Sequence, residues 1–589
     1  MYRLLTKNEI AQLKLQGNRA QDWNTLFVED PFETEQIRNN HFVGTVHIGI
    51  VTHAMVDDGE GLSLPEGIAD CCLVDSTVGS HCALHRVLYM SQYHVGDHCL
   101  LFNIGQMCGV EQLKWLEPMN ENGARRILPF PGMTIGDAYL WTRYRGHSKM
   151  LQQLETMARE QLSDGRQATI GDYAVVSNTQ LMYNVSIMSS QQSPSSMKQC
   201  IRVTDGVVGY GCQLSDGIIA ARFLLGENVR LEYGLRLNDT VVGDNSTLAR
   251  GEVSNSFIFP CHEQHHNSSF LIAALVEGQS NLASGATVGS NHNSRTADGE
   301  LQAARGFWPG LCCSLKHNSR FAAYCLLTKG DYPNELDIPF PFALVNNNVA
   351  KDQLEVMPAY WWMYNMYALS RCNTKFHARD RRTVKAQYID YQILSPDTAE
   401  QILHARTLLD KWMNQAGEDG VVYGEGMEHS KRPVVILKAR EAYKAYGDML
   451  YFYVTGVLRM LDKLPQAEAG DEHWVNMGGM LTKNCDVESL ITQIEEGSLR
   501  SWDDIHDHWH LLQGRHRDNV AAHAMKVLLK LEGKNCITEK EWKLIVPRYE
   551  EIMDYLQQQV RATRQKDIDN PFRHITYFDE EEYRAVLGE

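Results

Sequence analysis

The sequence predicts a stacked β-coil of triangular cross-section, interrupted by a helical insertion and followed by an α-helical domain. Three patterns predict it. The first is a 17-residue repeat: Val208-Gly209, Leu225-Gly226 and Val242-Gly243 are so spaced, and the ladder continues through Phe259 and Val276. The second is a stretch over 147–162 in which Met150, Leu151, Leu154, Met157, Ala158 and Leu162 recur at helical spacing. The third is a change of period after about residue 345, where apolar residues follow a helical stripe.

Within the repeat, two further ladders share the period. One is Leu214, Leu231, Leu248 and Leu282, broken by His265, and the other is Ala220, Leu237, Leu271 and Val288, broken by Ser254. The steps inside a unit are therefore six, six and five residues. An earlier block obeys the same rule, with Val78 and Val95, Leu84 and Leu101, and Met90 and Met107 each 17 apart. One apolar residue every sixth position fits neither a helix nor an alternating strand. It fits three short faces, each turning one residue inward. Stacked at the strand separation of about 4.8 Å, such coils bury a continuous column and satisfy each other's backbone.

VGSHCALHRV, VGDHCLLF, LLGENVRLEYGLRLNDTVVGDNSTL and LASGATVGS carry this pattern, over about residues 68–110 and 206–290. In these motifs the chain resembles the hexapeptide-repeat family, which implies a left-handed parallel β-helix. The five-residue third step departs from that family's run of sixes. Taken in order, the chain divides into a helical lead-in (1–40), a first β-helix block (41–110), an insertion with a helix and short repeat echoes (111–205), a second block with corner excursions (206–345) and an α-helical domain (346–589). The echoes are Thr134-Ile135-Gly136-Asp137 and Thr169-Ile170-Gly171-Asp172, and His41, His47 and His53, six apart, mark an entry coil. Gln191 to Ser196 reads as a loop. In the last domain, Ser430 before Pro433 reads as a helix start, with Ile436, Ala439, Tyr443, Tyr446, Leu450, Tyr453, Val457 and Leu461 on one face. Ser501-Trp502-Asp503-Asp504 and Thr538-Glu539-Lys540-Glu541 have the capping-box form.

The chain has 589 residues and a formal net charge of −17, with a pI near 5.8. That balance argues against binding nucleic acid or an anionic membrane through the overall field. No run reaches the roughly 18 apolar residues of a membrane span, and the first residues lack a secretory signal, so the expected location is the cytoplasm. The 14 Cys are scattered without a C-x-x-C and read as free, buried thiols.

One tripeptide occurs three times: His266-Asn267-Ser268, His292-Asn293-Ser294 and His317-Asn318-Ser319. Arg295 and Arg320 follow the latter two, and Lys316 precedes the last. If each spacing is one coil plus an excursion, the three His stack. Imidazoles and amides flanked by Arg and Lys suit an anionic substrate with hydroxyls: Arg and Lys hold phosphate, Asn267, Asn293 and Asn318 read hydroxyls, and His takes a proton. The competing reading is that Asn and Ser at coil corners only satisfy the backbone. Cys261 to His266 offers soft ligands without metal-ligand spacing, so no metal is assigned and polar corner residues are the default. His81 and His98, 17 apart, should stack as a solvated ladder. Arg371, Lys375, Arg379, Arg381, Arg382 and Lys385, beside His377, either close over an anion, dock the helical domain or form a solvated face.

The resemblance implies a solenoid His as the general base of an acyltransferase, for which His292 and His317 are the first candidates and His266 the third. The whole chain also looks like long hexapeptide proteins labelled putative glucose-1-phosphate thymidylyltransferases. It lacks the Gly-rich nucleotide loop of true sugar nucleotidylyltransferases and any P-loop. The expected function is transfer to or from a sugar phosphate or nucleotide sugar, with the cofactor unknown. The alternatives are a non-catalytic scaffold or sugar sensor, and a metal-dependent enzyme at Cys261 to His266. The family's trimeric assembly is open here, because the helical domain could block or replace it.

Overall fold

The computed structural model describes residues 1–110, 114–121, 124–163, 168–289, 299–418, 420–466 and 473–587. A parallel β-solenoid forms the first part of the molecule, and helices form the rest. In the regular stretch each coil supplies one seven-residue strand and one three-residue strand. Arg202–Val208, Ile219–Leu225 and Arg236–Val242 pair in register, Val208 with Leu225 and Leu225 with Val242. Gln213–Ser215, Arg230–Glu232 and Thr247–Ala249 stack in a separate ten-stranded sheet. The long strand bends at Asp205, Arg222 and Asp239, all with positive φ, so it spans two faces. Gly211, Asn228 and Asn245 form the second corner, and Asp216, Tyr233 and Arg250 the third, again with positive φ. The corners thus fall six, five and six residues apart, and the five-residue side is the face of the ten-stranded sheet.

A left-handed backbone costs an L-residue about 1 kcal/mol or more, and side-chain ladders along the corners offset it. Asn228 Nδ2 donates to Asn245 Oδ1 at 2.7 Å, Asn103 Nδ2 to Asn178 Oδ1 at 2.8 Å, and Arg222 forks onto Asp239. Within the coils, the Asp of the Val-Gly-Asp and Ile-Gly-Asp runs adds a second ladder: Ser80 N donates to Asp97 Oδ1 (2.6 Å), and Asp97 N to Asp172 Oδ1 (2.8 Å). Inside, Val208, Leu214, Ala220, Leu225, Leu231 and Leu237 are buried. Full burial of such side chains stabilises by about 1.5–3 kcal/mol each. The stacked rings His81, His98 and Tyr173, with centroids 5.0 and 4.6 Å apart, decorate one corner as the spacing predicted. All 14 Cys are free.

Two successive coils of this stretch depart from the 17-residue count, the first being 16 residues long and the next 18. Val242 pairs with Ile258 rather than Phe259, Leu237 with Val253 rather than Ser254, and Leu248 with Gln264 rather than His265. The step from Arg250 to the next corner, Asn255, has lost a residue, that from Cys261 to Ser268 has gained two, and that from Ser268 to Ala273 has lost one. The polar breaks seen in the sequence ladders are this slip, and Phe259 is thereby turned outward.

Strands reach back into the first forty residues. Arg19–Ala20 and Leu26–Val28 pair with His41–Ile48, and Ile37–Arg38 with Gly67–Ala69; the one helix there is α1, Lys7–Leu15. Leu100 pairs with Val175, so the chain between these coils leaves the solenoid and returns in register. It carries α2 (Ile135–Arg143) and α3 (Ser148–Ser163). Thr169-Ile170 is a solenoid strand, but Thr134-Ile135-Gly136-Asp137 is not an echo of the coil: Thr134 and Asp137 form a capping box that starts α2.

The far end of the solenoid closes with Leu344–Asn348 antiparallel to Gln353–Met357. Helices α4 (Tyr360–Tyr364) and α5 (Met366–Arg379) follow, then a strap over 380–392, α6 (Pro396–Gln415) and α7 (Ala439–Leu458). The helix predicted from Pro433 begins at Ala439 instead. The β-branched run Val434–Ile436 joins the closing sheet through Leu354–Val356, and tertiary pairing overrides the Pro signal. A hairpin of Trp474–Met477 and Met480–Lys483 precedes α8 (Asn484–Glu495), α9 (Trp502–Glu532), α10 (Glu539–Ile545), α11 (Arg548–Ile568) and α12 (Glu580–Leu587). Both predicted capping boxes open their helices, at Ser501 and Thr538. No helix among the described residues is long and apolar enough to cross a membrane.

Candidate functional site

The solenoid has an outward apolar ladder besides its inward ones. Val207, Leu224, Val241, Phe257 and Leu275 point away from the column, yet they are buried because α2, α3, α8 and α9 pack over that face in a second core. Tyr139 of α2 meets Phe257 and Phe259 edge-on, with centroids 5.6 and 4.9 Å apart. The start of α2 is bolted to α9 by the buried Asp137, which accepts from His506 Nε2 (2.7 Å) and Trp509 Nε1 (3.0 Å). Gly136 fits closely there: a Cβ would stand 3.2 Å from Met477 O and 3.3 Å from Gln387 Oε1.

The strap fixes the adjoining edge of the same face. Glu227 accepts from the backbone N–H of Thr383, Val384 and Lys385 at 2.6, 2.8 and 2.8 Å, and Arg382 joins Asp244 (2.9 Å) to Asp380. The basic cluster read from the sequence therefore docks the helical domain onto the solenoid. Arg305, 2% exposed, does the same in opposite sign, forking onto Asp397 at 2.9 and 2.8 Å. Beside the strap lies a cleft of about 60 Å³ whose walls include Met133, Met188, Leu224, Glu227 and Gln387.

Glu277 is the outlier on this face. It follows Val276, at the ladder position that holds Gly209, Gly226, Gly243 and Phe259 in earlier coils. The residue as a whole is half-buried, and Asn476 Nδ2 of the 474–483 hairpin donates to its carboxylate across a long 3.4 Å. Loss of hydration and the nearby charge of Asp397 push it up to about 7, against the pull of Asn476, Arg305 and Arg143. Burial, with Glu277 next, also raises the Tyr139 phenol. A carboxyl balanced near neutrality can accept a proton from a substrate hydroxyl and return it.

The His-Asn-Ser triplets do not form this site. His292, Asn293 and Arg295 lie outside the described residues. His266 and Asn267 are exposed beside Ser268 at the third corner, whereas His317 follows Lys316, which is in register with Ile272 through Gly289 and so stands at the first. The expected stack of His266 and His317 is therefore absent: the two stand at different corners of the triangle. His317 is buried, with Nε2 against Ile272 O at 2.8 Å. Lys316 pairs with Glu335 (2.7 Å), and Arg320 forks onto Asp337 (3.0 and 2.7 Å). Asn318 and Ser268 are corner residues with positive φ. In the neighbouring run, His262 is fully buried between Ser280 Oγ and Gln264 Oε1, and burial lowers its pKa to about 4. Among the described residues, no three His, Cys, Asp or Glu side chains are grouped to hold a metal ion.

The model of a family described as "Domain of unknown function (DUF4954)" matches residues 2–413. The chain belongs to the DUF4954 family. A second match, "Domain of unknown function (DUF6819)", covers 456–577. An "Uncharacterized protein" of Treponema pallidum (strain Nichols) is 39% identical over 655 residues, spanning 100% of this chain and 90% of the relative. The DUF4954 segment supplies Glu277, Asp137 and the strap, and the DUF6819 segment supplies Asn476, His506 and Trp509. The partners on the covered face thus come from two family segments, up to 372 residues apart in sequence. Sequence reading missed Glu277 for that reason. Its one local signal was an acidic residue where the ladder carries glycine.

Proposed function

We propose that this DUF4954 protein is a cytoplasmic transferase acting on a sugar phosphate or nucleotide sugar, by acyl or nucleotidyl transfer, on the covered face of the solenoid. Glu277 takes the proton-accepting role that the sequence suggested for His292, His317 and His266. The observation that carries this reading is the place of Glu277, an acidic side chain on the covered face under Asn476 of a second segment of the chain, where burial pushes its carboxyl up to about 7. Among the described residues, Glu277 has neither the cation partner of Asp244 and Asp397 nor the backbone N–H partners of Glu227.

A thermal-shift screen of the full chain against sugar phosphates, nucleotide sugars and acyl-coenzyme A tests the reading. A compound that stabilises both wild type and Glu277→Gln, and is turned over by wild type alone, supports it. If none of these compounds raises the melting midpoint of wild type, the reading fails and a non-catalytic scaffold or sugar sensor replaces it.

A further inference from the structure

The end of α2 that reaches Glu277 is crowded with arginine. Arg125 and Arg126 precede the helix, and Arg143 and Arg145 close it. Arg125 pairs with Glu300 at 2.7 Å. Among the described residues, Arg126, Arg143 and Arg145 have no carboxylate partner. Four arginines elsewhere in this acidic chain do meet carboxylates: Arg222 meets Asp239, Arg305 Asp397, Arg382 Asp244 and Arg432 Glu428.

Contacts that do not neutralise them hold Arg126 and Arg145 in place. Arg126 lies over the Trp115 ring at 4.6 Å, and Arg145 donates to the carbonyls of Arg126 and Trp141, each at 3.2 Å. Burial, then Arg126 and Arg125, press the Arg145 pKa downward, as expected of a half-buried guanidinium beside like charges. Guanidinium forks match phosphate oxygens two at a time, and a site of several forks is selective for that group.

We propose that Arg125, Arg126, Arg143 and Arg145 form a phosphate-binding subsite, which holds the phosphate of the substrate at the mouth of the Glu277 site. The inference rests on the function proposed above for that face and specifies where its anion sits. The phosphate can be the single group of a sugar phosphate or the diphosphate of a nucleotide sugar.

Calorimetric titration of the full chain with inorganic phosphate, and separately with pyrophosphate, reads the subsite without needing turnover. Wild type binds. Arg126→Gln/Arg143→Gln loses about tenfold in affinity for each charged fork removed. Arg143→Lys, which keeps the charge but not the fork, falls between. Arg236→Gln, an exposed arginine on another face, changes nothing. Pyrophosphate bound about tenfold more tightly than phosphate assigns the diphosphate, and equal affinity assigns the single group. The proposal is overturned if wild type binds neither anion, if the double variant binds as wild type does, or if Arg236→Gln loses as much. Glu277→Gln separates the two readings: arginine-dependent phosphate binding with turnover intact in that variant retains the subsite and removes Glu277 from the chemistry.

Discussion

Thr134-Ile135-Gly136-Asp137 and Thr169-Ile170-Gly171-Asp172 are the same four residues in two structures. In the first, Thr134 Oγ1 accepts from Asp137 N and the Asp137 carboxylate from Thr134 N, closing a capping box at the start of α2. In the second, Thr169-Ile170 is a strand, and Asp172 reaches down to the backbone N–H of Asp97 in the coil below. The flanks bias the outcome: AYLWT favours a helix after Asp137, and YAVV a strand after Asp172. What settles it is the neighbour. The second copy lands on a preformed coil edge, with Ile170 pairing both Val95 and Ile187, whereas the first lies on the outer surface of the solenoid and must satisfy its amides locally. The same carboxylate therefore serves within its own turn in one copy and one coil away in the other.

Removing the two carboxylates should separate the copies most widely. Asp137 is fully buried and paired with His506 and Trp509, so Asp137→Ala leaves both donors without an acceptor and removes the cap of α2. Breaking such a buried pair costs about 3–5 kcal/mol. Asp172 is exposed and receives one backbone N–H, so Asp172→Ala should cost about 1 kcal/mol, the usual value of a cap. Urea denaturation of both variants checks the ranking. Equal losses would mean that the α9 contact adds nothing to the cap.

The glycines sharpen the comparison in the opposite order. A Cβ at Gly171 would lie 2.5 Å from Ser189 N and 2.7 Å from Ser189 O, backbone atoms of the next coil. Gly171→Ala should therefore cost about 1–3 kcal/mol through overpacking. At Gly136 the nearest atoms are 3.2 and 3.3 Å away, and one belongs to the movable Gln387 side chain. A helical Ala gains about 1 kcal/mol over Gly, so Gly136→Ala should change the melting midpoint little. Circular dichroism melts of the pair decide the matter, and a larger loss at Gly136 would contradict it.

The column was legible because every coil must turn apolar residues inward at each five- or six-residue step, a constraint that Val208, Leu214 and Ala220 announce without reference to anything distant. The slip at Ile258 was not legible, since a lost and a gained residue cancel over two coils and leave the overall count intact. Repetition misled in the opposite way. The His-Asn-Ser triplets stand out in the sequence, yet Ser268 and Asn318 occupy corners where polar residues with positive φ recur throughout the solenoid. The covered face was out of reach, because its decisive pairs, Glu277 with Asn476 and Asp137 with His506, lie 199 and 369 residues apart. The outward ladder Val207, Leu224, Val241 was visible as a second apolar register, and it marks the face that the helices cover.

Acidity should also distinguish the two copies, with a smaller effect confined to one pH range. Burial opposes the charge on both Asp137 and His506, but their mutual attraction and hydrogen bond outweigh it, holding the carboxyl below its usual pKa and the imidazole above. The carboxylate's contribution is present above the unfolded value of about 3.9, and is lost as pH falls through the lower folded value. The imidazolium's contribution is full below about 6.5 and is lost as pH rises through the higher folded value. Stabilisation by the pair is therefore greatest near pH 5–6 and declines into the alkaline range. The melting-midpoint gap between wild type and His506→Gln should be widest there and narrower at pH 9. The gap for Asp172→Asn, whose carboxylate faces a backbone N–H with no imidazole, should stay level over the same interval. A His506→Gln gap that does not vary with pH would show that the imidazole acts only as a neutral donor, which would make the two copies electrostatically alike and leave packing as their sole difference.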